Sequence, residues 1–150
     1  MQKKSLFILF IFNCILVGAG WTLALYSYPR LPQRMPLWLH FLGQSPMMMR
    51  KSILFFIYPV SQIIFNIVFI LLARLLSSRR RALWERALLM DHVLLSLIFF
   101  NLIFIHALSS LVLLAHQIRG GINSFYFIAL FLVVIILIPY YRLRGKILQR

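Results

Sequence analysis

Few side chains in this sequence could do chemistry. There are four histidines (His40, His92, His106 and His116), two acids (Glu85 and Asp91) and one cysteine, Cys14. Catalysis on a substrate needs a nucleophile beside a base, a carboxylate pair or a metal constellation. Two acids near one another, with no Cys/His spacing of the metal-ligating kind, supply none of these. Neither an enzyme nor a metal site is therefore expected. Asp91 reads as a helix N-terminal charge close to Arg86, since acids favour a first turn. His40 reads as an interfacial residue, because a metal there would need ligands from elsewhere. Cys14 has no partner for an intrachain disulfide.

The remaining candidates are polar groups inside apolar runs. Tyr58, Gln62 and Asn66 recur every four residues and share one helix face, while Asn13 stands in an earlier run. At about 100° per residue, Asp91, His92, His106, Ser109, Ser110 and His116 fall within roughly a third of a helix circumference. Ser96 lies just beyond one edge of that stripe and Asn101 off the other. A polar group in mid-membrane without a partner costs several kcal/mol, so His106 is expected to bond to Gln62, Asn66 or Asn13. Such an intramembrane cluster, of Asn13, Gln62, Asn66, Asn101 and His106, either glues a helix bundle or lines a path for a ligand or proton. His92 and His106 stand about 21 Å apart along one helix face, a separation that two stacked haems or chlorophyll-type pigments would need. Axial ligands must then come from a facing helix, and no other apolar run contains a histidine. No cofactor is expected, and haem or pigment is kept as an alternative.

These groups need a scaffold, and composition says which kind. With 63% hydrophobic residues in 150 and a mean hydropathy of +0.93, the chain has too little polar surface to cover a water-soluble globule. Four runs, at about 6–25, 53–72, 93–115 and 122–141, each approach the roughly 20 residues that cross a bilayer. The expected fold is one all-α integral membrane domain over 1–150, with four transmembrane helices. A secretory signal is the rival reading of the first run, but its apolar stretch continues through Trp21. Asn13 before Cys14 does not suit a lipoprotein. Cys14, Gly18 and Thr22, every four residues, predict a smooth stripe for a close helix neighbour. Pro59, inside the second run, predicts a bend. The sixteen Lys and Arg, for a net charge of +14, lie in clusters between the runs. That placement suits anionic lipid headgroups and excludes a nucleic-acid module.

Between the first two runs lies the longest connection, Tyr28 to Lys51, holding four of the six prolines. Long loops without helix or strand pattern are functional or disordered, and Trp38, Leu39, Phe41 and the Met47–Met49 triplet are too apolar for disorder. The loop is expected at the water–lipid boundary, presenting Pro32, Pro36, Trp38, His40, Gly43 and Lys51. The order Leu31-Pro32, Pro36, Gly43, Lys51 and then Pro59 resembles a bacterial membrane domain of unknown function, number sixteen-forty-eight, found at the N-terminus of SdpI-like toxin immunity proteins. Where that family's pattern has a histidine and an asparagine after the second proline, this chain has Trp38 and His40. The resemblance covers about the first seventy residues and implies a membrane protein.

Lys and Arg counts set the expected orientation. The N-terminus, the 74–86 connection and the tail hold eleven, against five in the other two connections. Both termini are expected in the cytoplasm, and the loop outside, of a bacterial inner membrane. The functional expectation is an accessory subunit or partner-binding protein of a larger membrane complex. An SdpI-like immunity or sensing protein is one alternative, and a small transporter or pigment carrier using the third run is another.

Overall fold

The computed structural model describes residues 2–36, 48–78 and 83–117, with Ile135. It is mostly helical, and three of its helices are long and apolar enough to cross a membrane. Helix α1 spans Gln2–Ser27. It gives way to a short 3₁₀ turn at Tyr28–Arg30, where Pro29 brings no backbone donor to continue it. Leu31, which precedes Pro32, is extended (φ −65°, ψ 142°), the conformation a following proline imposes.

Two short strands follow, β1 at Arg34–Pro36 and β2 at Met48–Arg50. They pair antiparallel, with Arg34 opposite Arg50, Met35 opposite Met49 and Pro36 opposite Met48. The connection expected to lack strand pattern therefore contains a ribbon, so the described chain is not purely helical. Ser52 then caps a 3₁₀ turn at Ile53–Phe56, its hydroxyl accepting from the Leu54 N–H at 3.3 Å. Helix α2 proper is Ile57–Ser78. Pro59 consequently sits in its first turn, where a missing donor costs nothing, and not at a mid-span bend.

Helix α3, Leu83–Ala115, has 33 residues, or about 50 Å of rise, and outruns a 30 Å hydrocarbon core. It starts about ten residues before the expected third span. Its first-turn acid is Glu85, while Asp91 lies two turns in and is fully enclosed. The basic stretch expected as a 74–86 connection is largely helical at both ends.

Both α1 and α2 pack against α3. The buried positions are Asn13, Gly20, Ala24 and Ser27 on α1, and Pro59, Gln62, Asn66 and Ala73 on α2. On α3 they are Asp91, Leu94, Leu97, Asn101, Leu108, Leu111 and Ala115. All these steps are three, four or seven residues, the repeat of shallow, left-handed helix packing. Between α2 and α3 an aromatic seam runs through Phe65, with Phe69 and Phe100 at 4.2 and 4.8 Å between ring centres. Near the ribbon, Ala24, Leu31, Met35, Phe55, Leu108, Leu111 and Ala115 form one apolar cluster.

Candidate functional site

The buried amide side chains of the three helices, Asn13, Gln62 and Asn66, converge on one residue, Asn101 of α3. Its Nδ2 donates to Asn13 Oδ1 at 2.8 Å and to Asn66 Oδ1 at 3.1 Å. Its Oδ1 accepts from Asn66 Nδ2 at 2.7 Å and from Gln62 Nε2 at 3.0 Å. A carboxamide has two donors and two lone pairs, so Asn101 is saturated. The surrounding amides spend their other hydrogens on backbone. Asn13 donates to Leu9 O and across the interface to Leu94 O, each at 2.9 Å. Asn66 donates to Gln62 O at 2.8 Å, and Gln62 to Leu16 O at 3.4 Å. Asn66 and Asn101 fall near the middle of their spans. There a saturated network is a joint between helices, and its chemistry is positional: amides at this depth neither titrate nor attack.

His106, expected to bond to Gln62, Asn66 or Asn13, takes no part in the bonds that saturate Asn101. It lies five residues beyond Asn101, about 140° around the helix, and approaches Ser110 Oγ at 3.4 Å. Asn101, counted in the expected cluster although off the edge of the α3 stripe, is the residue on which the amide bonds meet. His92 Nδ1 donates to Leu88 O one turn back on its own helix, at 2.6 Å. The Cys14, Gly18, Thr22 stripe also fails as a close-approach face. All three are exposed, and Thr22 turns its hydroxyl onto Gly18 O at 2.9 Å.

The residue that does permit close approach was missed. A Cβ on Gly20 would collide with Gln62 Oε1 and stand 3.3 Å from its Cδ. A signal existed in the sequence, because Gly20, Ala24 and Ser27 are small residues at four- and three-residue spacing.

The second site is the end of the bundle carrying the ribbon. Lys51 Nζ donates to Pro29 O at 3.1 Å and Leu31 O at 3.4 Å, carbonyls of the turn that follows α1. It also lies 4.9 Å from the Tyr28 ring centre, and its backbone N–H donates to Gln33 O at 2.7 Å. From the far helix, His116 Nε2 reaches Arg30 O at 3.2 Å. Beneath the ribbon, Met35 and Pro36 are buried. Pro32 is partly buried, while Trp38, His40 and Gly43 lie outside the described residues. Thus Lys51 pins the ribbon to the turn after α1. Lys51→Met, which keeps the stem and removes the charge, is expected to cost about 1–2 kcal/mol locally. Amide hydrogen exchange at Met35 and Met49 should rise several-fold while mid-helix amides stay protected; unchanged ribbon exchange would show that the pin is idle.

Among the described residues no three His, Cys, Asp or Glu side chains gather where they could share a metal ion. No family model, curated protein or solved structure matches the chain. The resemblance in the 28–59 region thus rests on its motif residues, of which Leu31, Pro36 and Pro59 are buried and Lys51 is the pin.

Proposed function

We propose that this chain is a non-enzymatic accessory or structural subunit of a larger complex in a bacterial inner membrane, recognising its partner through the 28–51 segment and its apolar helix faces. The observation that supports this reading is the anchoring of the ribbon. Lys51 ties it to carbonyls of the turn after α1, and Met35 sinks into the apolar cluster. The two strand ends at Pro36 and Met48 are thereby held together over the helices, as a platform for whatever they present. The amide network supports the reading from the other side, since its polar groups are engaged with one another between helices.

In this proposal 122–141, which lies outside the described residues apart from Ile135, is a fourth span. Both termini are then cytoplasmic and the ribbon end faces outward.

Extraction in a gentle detergent followed by native mass measurement tests the function. A stoichiometric second protein is expected, and a chain that purifies alone sinks the subunit reading. Among Trp38→Ala, His40→Ala and Lys51→Ala, at least one should lower the recovered partner about tenfold; three wild-type results would remove the segment from the interface.

A further inference from the structure

Arg34 and Arg50 are directly opposed across the ribbon, and both are exposed. Opposed residues in an antiparallel pair have Cα atoms only about 4.5–5.5 Å apart, and like charges so placed repel. Arg30, whose guanidinium lies 3.5 Å from the Tyr26 ring centre, and Lys51 add charge at the same end. The chain cannot neutralise this group from within. Its only acids are Glu85 and Asp91, and Asp91 lies 24 residues down α3 from Ala115, about 36 Å of helix. At physiological salt charges interact over roughly 8 Å. The compensating anion must therefore come from outside.

The surroundings say which anion. Gln33, Arg34, Met48 and Arg50 line an open polar cleft of about 530 Å³. Three residues beyond Arg50 stands Ile53, which is 76% exposed. An isoleucine this exposed belongs among acyl chains, so the headgroup layer falls at the arginines. Two facing guanidinium forks suit the oxygens of a phosphodiester, each fork binding two of them.

We propose that the Arg34–Arg50 pair is a binding site for the phosphodiester of an anionic phospholipid, its glycerol headgroup in the cleft and its chains beside Ile53. The site does not depend on the partner reading or on sidedness, since phospholipid headgroups line both surfaces of a bilayer.

The test uses the full chain released from mixed phosphatidylglycerol and phosphatidylcholine micelles, with retained lipid counted by native mass spectrometry. Wild type should keep phosphatidylglycerol in preference to phosphatidylcholine. At about 1 kcal/mol per basic residue, or about fivefold each, Arg34→Gln with Arg50→Gln should lower that retention by more than tenfold. Arg34→Lys with Arg50→Lys should fall between, keeping charge but losing the forks. Arg74→Gln, on α2, removes one headgroup charge with no facing fork and should lower it by no more than about fivefold. The glutamine pair removes a repulsion, so misfolding is not its expected effect, and unchanged helical circular dichroism checks this. Equal retention of both lipids by wild type, no loss in the glutamine pair, or an equal loss in Arg74→Gln overturns the proposal. Displacement of the lipid by millimolar inorganic phosphate would assign the forks to the free ion and overturn the lipid site.

Discussion

Replacing Asn101 by leucine is expected to lower the stability of the helix bundle by about 2–4 kcal/mol. The two side chains are similar in size, so the change removes hydrogen bonds with little change in volume. Four bonds to three residues on two other helices disappear together. Asn13 Oδ1, Asn66 Oδ1 and one donor each on Asn66 and Gln62 then face leucine, in a setting where no bulk water can replace the lost partner. The estimate stays below four full penalties because helices separated within a bilayer also find other partners. Reversible unfolding in mixed dodecyl sulfate and zwitterionic micelles measures the cost. His106→Leu leaves the network intact and should cost less. A loss under about 0.5 kcal/mol for Asn101→Leu, or a larger one for His106→Leu, would show that the joint lies elsewhere.

That contrast also shows what the sequence could and could not tell. The existence of three long helices was legible, because uninterrupted apolar runs of membrane-spanning length have few other solutions. Their inward faces were not. In water an amphipathic stripe marks the buried side of a helix, but lipid makes the outward face equally apolar. Only small and polar residues then mark the inside, and they can mark more than one face. On α3 the stripe through His92, His106, Ser109 and Ser110 drew attention because it holds more polar groups. The single Asn101, flanked at heptad spacing by Leu94, Leu97 and Leu108, is the one facing α1 and α2. On α1 two small-residue stripes competed, and counting Cys14 as small favoured the exposed one.

The ribbon end was partly legible for a different reason. Its four prolines marked the connection as a non-helical segment, but pairing of Arg34 with Arg50 could not be read from alternation in strands this short. Like charges in direct register argue against pairing from local preference alone. What overrides that preference is tertiary: Met35 is buried in the apolar cluster that includes Leu108 and Leu111, and Lys51, next to β2, bonds to the turn after α1. The repulsion is the residue of that compromise, and it leaves the two arginines available to an outside anion.

Gly20→Ala is expected to cost about 1–3 kcal/mol, and to cost almost nothing once Gln62 is also alanine. By intrinsic preference the change should help, since alanine favours a helix over glycine by up to about 1 kcal/mol. The new methyl, however, would occupy the position against Gln62 Oε1. The glutamine tip is flexible, so steric overlap alone is cheaply relieved by turning it away. Turning it away costs its bonds to Asn101 and to Leu16 O, and that loss sets the sign. Gln62→Ala removes the tip and those bonds in advance, so the second methyl enters open space and the helix preference of alanine reappears. The four proteins of this cycle, unfolded in the same micelles, should give a coupling of at least about 1 kcal/mol between positions 20 and 62. Additive effects would mean that Gly20 serves the chain for some reason other than admitting this side chain, and a stabilised single Gly20→Ala variant would mean that the two helices do not approach so closely there.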